Sequence, residues 1–258
     1  MKALVLCAGF GTRMGDLCAD APKPLLQVGG SAIVEHILHR LAGHGFRDVL
    51  VNLHHRAEQF EPRLQRGQRF GVQLSYLHEP TPLGTAGTSR QVLAEGAEDL
   101  LVHYGDILTD HDLFGLWQQH RATGAAATIL VHQREGSNSF VKLGPEGRVT
   151  RFLERPAQRP ADDGDPTWAF SGICVLSPAA LPAFGDGPGQ APLDLPRDVF
   201  PALVEQGVLF AQPLAGFRCA IDSRARLESA RAAFGQGQIR GMAITGARPG
   251  GRQEGRGA

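Results

Sequence analysis

The sequence predicts an α/β sandwich in which helices cover both faces of a mostly parallel central sheet, and three observations predict it. Short apolar runs alternate with helical patterns through the first half of the chain, as they do in βαβ units. After Ala125 the pattern changes to closely spaced strand-like runs and a hairpin, so a smaller β-rich portion is expected there. The 258 residues, 42% of them hydrophobic, are enough to bury roughly 70–75% of the unfolded chain's surface without staples.

Taken in order, residues 2–7 read as a short buried strand. Lys2 before Ala3-Leu4-Val5-Leu6 gives it the look of a miniature signal peptide, but Gly9, Gly11 and Arg13 come after it with no cleavage site. Residues 31–44 form an amphipathic helix in which Ile33, Ile37 and Leu41 lie four apart with Val34 and Leu38 beside them. Ser31 is its expected N-cap and Gly45 its stop. A strand at 48–53 precedes a short helix at 56–66, which Pro62 should kink or end. Then come a strand at 72–77, a helix at 86–95, a buried strand at 100–104 and a helix running to His120, capped by Asp110 and burying Phe114 and Trp117.

In the second half, residues 127–131 are strand-like, and 139–143 and 148–153 make a hairpin about Pro145-Glu146-Gly147. A Pro-rich polar loop at 157–166 leads to a strand at 169–176, a helix near 196–206, a strand at 208–212 and a last helix at 223–234. Residues 246–258 have no apolar content to order them and are expected to be a disordered tail. Residues 1–245 then form one domain with halves at 1–124 and 125–245.

Lys and Arg number 26 against 26 Asp and Glu, which argues against a nucleic-acid binder because such proteins carry a basic excess or stripe. No apolar run approaches the ~18–20 residues of a membrane span, so no membrane partner is expected. The cysteines, at 7, 18, 174 and 219, are scattered and read as reduced thiols of a cytoplasmic protein. A homo-oligomer is compatible with all of this. The 33 glycines stand well above the average usage of about 7%, and many sit in loops that carry chemistry.

The first strand runs into Gly9-Phe10-Gly11-Thr12-Arg13, where backbone N–H groups unobstructed by Cβ atoms can approach a phosphate. A dinucleotide fingerprint fails, because Pro22 and Pro24 interrupt the helix it needs and Asn52-Leu53 stand where its acid belongs. A P-loop is absent as well. Further along the chain stands Pro22-Lys23-Pro24, two prolines stiffening the backbone around one lysine, an arrangement suited to holding an ammonium against a phosphate.

With these segments in hand, the chain resembles the sugar-1-phosphate nucleotidylyltransferases. Four further segments stand in that family's order: Glu79-Pro80-Thr81-Pro82-Leu83-Gly84-Thr85-Ala86-Gly87, Leu101-Val102-His103-Tyr104-Gly105-Asp106, Phe152-Leu153-Glu154-Arg155-Pro156 and Ile221-Asp222-Ser223. The resemblance spans most of residues 1–235 and implies a Rossmann-like three-layer sandwich with a smaller β-rich sugar-binding portion. It also implies small-molecule substrates, an NTP and a sugar 1-phosphate, and Mg²⁺ as cofactor. Both substrates are polyanions, so the reaction calls for positioning and charge neutralisation more than covalent catalysis.

By that resemblance, Ala8, Gly9, Gly11 and Thr12 contact the nucleotide, Arg13 neutralises the triphosphate, and Lys23 bridges the reacting phosphates. Gly84, Thr85 and Ala86 form the wall against the base, Glu79, Pro80 and Gly105 are further nucleotide-binding residues, and Asp106 is the metal carboxylate. Glu154 accepts hydrogen bonds from sugar hydroxyls, Arg155 stands where the family has lysine, Gly172 allows the sugar's close approach, and Ser171 lines the same sugar-binding segment where the family has Asn or Thr. Asp222 is either the second metal ligand or a helix N-cap, and an alternative register places Ala220 at the ligand position. The segment at 79–87 looks most like the mannose- or heptose-1-phosphate guanylyltransferase branch, favouring GTP, while the ending at 221–223 is closer to cytidylyltransferases. UTP-, dTTP- and CTP-dependent transfer stay open, as does a non-catalytic nucleotide-sugar-binding module. The histidines, His54-His55 and His36 with His39 among them, lack the Cys or acid pattern of a zinc site.

Overall fold

The computed structural model describes residues 1–134, 137–158, 166–185 and 192–241, save the side chains of Thr12 and Arg13. The tail expected at 246–258 and most of the loop expected at 157–166 lie outside these residues.

Strand β1, Lys2–Leu6, is covered on both faces, which is why its sequence runs apolar without alternation. After it come β2 (Gln27–Val28), β3 (Ser31–Ala32), α1 (Ile33–Gly43), β4 (Asp48–Leu53), α2 (Glu61–Leu64), β5 (Gln73–His78), α3 (Gly84–Ala94), β6 (Leu100–Tyr104), β7 (Ile107–Thr109) and α4 (Leu113–Thr123). The second half supplies β8 (Ala127–His132), β9 (Ser139–Leu143), β10 (Val149–Glu154), β11 (Ala169–Leu176), α5 (Phe200–Glu205), β12 (Leu209–Pro213), β13 (Arg218–Ala220) and α6 (Arg224–Gly235).

Seven strands form the central sheet in the order β12-β8-β11-β6-β1-β4-β5. The β1–β4, β1–β6, β4–β5 and β8–β12 pairs are parallel, and only β11 runs antiparallel to its neighbours. Alternation along β1 separates the two cores: Ala3 and Val5 pack with Ile33 and Leu38 of α1, Leu116 of α4 and Leu227 of α6. Leu4 faces the opposite core, with Val92 of α3, Phe200 and Leu203 of α5, and Val141 and Phe152 of the β9–β10 hairpin. The molecule is thus the three-layer sandwich with a mostly parallel sheet that the sequence predicted.

Four local expectations change. Ser31 lies in β3, paired with Val28 across Gly29 and Gly30, whose φ angles of 59° and 86° suit a two-residue hairpin turn. The start of α1 therefore falls at Ala32, whose N–H is taken by Glu35 Oε2 at 2.7 Å. Gly45, by contrast, is the expected stop: its φ is 82°, and the Phe46 N–H closes on Leu41 O at 2.9 Å. Pro62 sits in the first turn of α2, where its missing N–H costs nothing, and so neither kinks nor ends the helix. Asp112, not Asp110, caps α4, accepting from Phe114 N at 3.1 Å, while Asp110 accepts from Phe217 N and Arg240 N. Trp117 is buried in the core, but Phe114 is 41% exposed on the first turn of α4.

Candidate active site

The site lies beyond the C-terminal ends of β1, β4 and β6, the edge where open α/β sheets bind ligands. Gly105 turns the chain there with its N–H on Leu6 O at 2.9 Å. A Cβ at Gly105 would lie 2.6 Å from Leu6 O and 2.7 Å from Cys7 Sγ, so only glycine brings the loop after β6 this close to β1. The turn sets Asp106 at the crest. Opposite it, a single helical turn at Lys23–Leu25, anchored by buried Pro24 and Leu25, presents Lys23. Lys23 Nζ donates to Asp106 Oδ2 at 3.1 Å.

The loop after β1 is fixed by a buried polar network centred on Glu79. Asn52 Oδ1 accepts from Cys7 N at 2.7 Å, and Asn52 Nδ2 donates to Glu79 Oε1 at 2.8 Å. Glu79 Oε1 also accepts from Thr88 Oγ1 at 2.5 Å, and its Oε2 accepts from Leu83 N at 3.0 Å. One carboxylate therefore ties the β1 loop, the end of β4, the 79–84 loop and α3 together, and both of its oxygens are in use. Gly84 has φ 79° and a Cβ position 2.1 Å from Leu193 O. Thr85 Oγ1 donates to Asp194 Oδ2 at 3.0 Å and accepts from Leu195 N at 2.8 Å, clasping the loop to the second half of the chain.

Two chambers open on this edge. The smaller, about 260 Å³, is lined by Ala8, Gly9, Gly11, Glu79, Gly84 and Thr85 among others. The larger, about 690 Å³, takes in Glu154, Arg155, Gly172 and Asp222. They share Lys23, Gly84, Thr85, Tyr104 and Asp106, so the Lys23–Asp106 pair stands where they meet. Pro80 and Gly105 are not among the lining residues of either, and Ser171 is buried behind the wall of the larger one. The side chains of Thr12 and Arg13 lie outside the described residues.

Within the larger chamber, burial raises the pKa of Glu154 against the opposing pull of Arg155, whose Nε lies 3.4 Å away. Arg155 holds a left-handed φ of 47° and keeps its side chain 60% exposed. Three residues not named as site candidates also line this chamber: Tyr104, which stands within the segment ending at Asp106, and His132 and Arg218, which no motif signalled. The Tyr104 hydroxyl is buried at the junction of the chambers and its pKa is raised, chiefly by burial. His132 and Arg218 gave no signal in the sequence because each owes its place to a strand end in a pairing, such as β7 with β13, that short-range patterns do not reveal.

Asp106 and Asp222 line one wall, and the Ile221 N–H donates to Asp106 O at 2.8 Å, setting the two acid-bearing segments side by side. Asp222 is not the cap of α6; that is Ser223, whose Oγ accepts from Arg226 N at 3.4 Å. Asp222 Oδ1 instead faces Arg226 Nε at 3.4 Å. No cluster of three or more His, Cys, Asp or Glu occurs among the described residues. Two carboxylates without a third acid or a nitrogen ligand fit a hard divalent cation that draws its remaining oxygens from phosphate and water.

Fold and site together define a three-layer α/β protein with two chambers that meet at one lysine and one aspartate. A family model described as nucleotidyl transferase matches residues 2–214. The mannose-1-phosphate guanylyltransferase catalytic subunit beta of Drosophila pseudoobscura pseudoobscura is 32% identical over 222 residues, 84% of this chain and 57% of that one. The UTP–glucose-1-phosphate uridylyltransferase of Synechocystis is 32% identical over 226 residues, 81% of this chain and 57% of that one. A solved structure from Bacillus anthracis, described as a glucose-1-phosphate thymidylyltransferase, superposes with a TM-score of 0.79 over 90% of this chain and 94% of its own, at 19% identity, and shares the fold. The chain belongs to the nucleotidyl transferase family. It spans about three fifths of the length of the curated relatives it matches.

Proposed function

We propose that the chain joins a nucleoside triphosphate to a sugar 1-phosphate, giving a nucleoside-diphosphate sugar and pyrophosphate. The observation that carries this reading is the meeting of two chambers at Lys23 and Asp106, one lined by glycine-rich backbone and one by polar side chains. The nucleotide occupies the smaller chamber along Ala8, Gly9 and Gly11, and Arg13 adds charge to its triphosphate. The sugar phosphate occupies the larger one, with Glu154 accepting from sugar hydroxyls. An acceptor phosphate oxygen attacks the α-phosphorus, a new P–O bond forms, and the bond to the β-phosphate breaks with its electron pair leaving on pyrophosphate. The nucleophile's second pKa is near ~6, so it is ionised at neutral pH and needs no general base. Lys23 neutralises charge that builds at the α-phosphate. Asp106 and Asp222 would hold Mg²⁺, which when bound neutralises phosphate charge.

GTP with a mannose- or heptose-type sugar 1-phosphate is the preferred pair, supported by the segment at 79–87 and by relatives named as mannose-1-phosphate guanylyltransferases. The relative named as a uridylyltransferase keeps UTP in the comparison. Residues 1–245 act as one catalytic domain. A pyrophosphate-release assay with Mg²⁺ tests the reading, crossing GTP, UTP, dTTP, CTP and ATP with mannose, heptose, glucose, N-acetylglucosamine and N-acetylmuramic acid 1-phosphates. Release with GTP and mannose or heptose 1-phosphate is expected. Nucleotide binding by calorimetry with no release across the panel would replace catalysis with a binding role.

A further inference from the structure

Arg218 is the least expected residue of the larger chamber. It enters on β13, and its Nε and Nη2 both donate to Ser171 O, at 3.1 and 3.0 Å. Among the described residues no partner takes Nη1, and the residue lines the chamber. Buried cations in proteins are paired with an anion, because an uncompensated one forfeits its hydration. Two more exposed arginines of this chamber do have acid partners: Arg197 grips Asp198 at 2.7 Å and Arg155 faces Glu154 at 3.4 Å. Among the described residues no carboxylate lies within ion-pair distance of Arg218.

The surroundings leave the same gap. His132 Nδ1 is 3.0 Å from Ser171 Oγ, while its Nε2 is buried with no hydrogen-bond partner among the described residues. Burial, then Arg218 and Arg134, pull the His132 pKa down to about 4, so the ring is neutral at pH 7. Burial likewise draws Arg218 down to about 10, with Asp106 opposing the shift, and Arg218 stays charged. The wall thus presents a fixed cation and an unpartnered ring nitrogen within electrostatic reach of the Lys23–Asp106 junction.

We infer that Arg218, and not the more exposed Arg155, grips the phosphate of the acceptor in the larger chamber. The inference rests on the proposed two-substrate reading and adds the residue that positions the nucleophile. A planar guanidinium already oriented by Ser171 O loses little freedom when it binds a phosphate, which a flexible rim arginine does not match. Held there, the acceptor phosphate keeps one oxygen free to face the α-phosphorus.

The test is calorimetric titration of the full chain, without nucleotide, with inorganic phosphate and with mannose 1-phosphate. Wild type, Arg218→Gln, Arg218→Lys and Arg155→Gln are compared, each checked for an intact thermal transition because Arg218 also satisfies Ser171 O. Arg218→Gln should weaken binding of both probes by about ten- to hundredfold, Arg218→Lys by less, and Arg155→Gln by under about threefold. Equal weakening in the Arg155 and Arg218 variants, loss confined to Arg155→Gln, or no saturable binding to wild type each overturns the inference. If Arg218→Gln fails to fold, the Arg218→Lys and Arg155→Gln pair decides by the same order of effects. Since no turnover is measured, failure of the pyrophosphate assay would sink the proposed reaction while leaving this result intact.

Discussion

Lys23 Nζ and Asp106 Oδ2 stand 3.1 Å apart across 83 residues of sequence, and this pair sits on the seam between the two chambers. Each side chain is less than a third exposed, so the pair is held by its surroundings and not by chance at a surface. On the proposed mechanism the ammonium must leave Asp106 for the phosphates when substrates bind. Lys23→Ala should lower kcat by at least about a hundredfold, as removal of a transition-state donor does, with the thermal transition intact. Near-wild-type turnover would remove Lys23 from the mechanism.

Asp106→Asn retains the shape of the turn made by Gly105 but deletes the charge. Activity should fall together with its dependence on Mg²⁺ concentration, the half-saturating metal level rising by about tenfold or more. The check is a metal titration of pyrophosphate release in both proteins. An unchanged titration curve with lower turnover would return Asp106 to a purely structural role beside Lys23.

Glu79 uses both carboxylate oxygens to accept hydrogen bonds, from Asn52, Thr88 and Leu83. Glu79→Gln turns one acceptor into a donor facing other donors, leaving a buried polar group unsatisfied at a cost of about 1–3 kcal/mol. Because Asn52 passes the constraint on to Cys7 N, the loss should also raise KM for the nucleotide more than KM for the sugar phosphate. Chemical denaturation and a two-substrate kinetic matrix measure the two effects separately. Equal changes in the two KM values would mean that the network does not shape the smaller chamber.

Much of this architecture was legible from sequence because its signals are short-range. The strand at 100–104 and the strand at 169–176 coincide with Leu100–Tyr104 and Ala169–Leu176, and the hairpin about residues 145–147 forms as β9 and β10. Motif order also brought Lys23, Asp106, Glu154 and Asp222 to one edge. What stayed hidden depends on contacts far along the chain. Glu79 reads in sequence as a nucleotide-binding residue, whereas its partners come from β4 and α3 and give it a structural part. Arg218 carries no motif, and only the pairing of β13 with β7 brings it into the chamber. Ser31 was misplaced because a capping preference lost to a hairpin that closes through Gly29 and Gly30.

Gly84 couples the halves of the site. Its φ of 79° already favours glycine, and a Cβ would fall 2.1 Å from the backbone oxygen of Leu193. Gly84→Ala should therefore destabilise the fold by about 2 kcal/mol or more and break the clasp of Thr85 on Asp194 and Leu195. Both KM values should rise, since the clasp borders both chambers. Denaturant melts and substrate kinetics check this, and a variant with wild-type stability would show that the 192–195 segment can yield.

His103 gives the fold a pH dependence of known sign. It is buried in β6 with Nδ1 2.9 Å from Tyr104 O, and burial lowers its pKa to about 4. In the unfolded chain the ring titrates near 6.5. Between those values the unfolded state binds a proton that the folded state refuses, so stability falls as pH drops from about 6.5 toward 4. One such group contributes a slope of up to about 1.4 kcal/mol per pH unit. His132, also held to about 4 and opposed by Arg218 and Arg134, adds to the same limb. Glu35 begins to contribute only at the lower end: burial works against its ionisation, but Arg63 and Arg69 prevail and its pKa is lowered. Its stabilisation is complete above the ordinary carboxylate range and lost as pH falls through the lowered value. Denaturation at half-unit pH steps should show His103→Gln flattening the limb between 6.5 and 4 by about one proton's worth, with Glu35→Gln changing the slope only from the ordinary carboxylate range downward. A wild-type slope in the His103 variant would mean that the ring takes its proton without unfolding the strand.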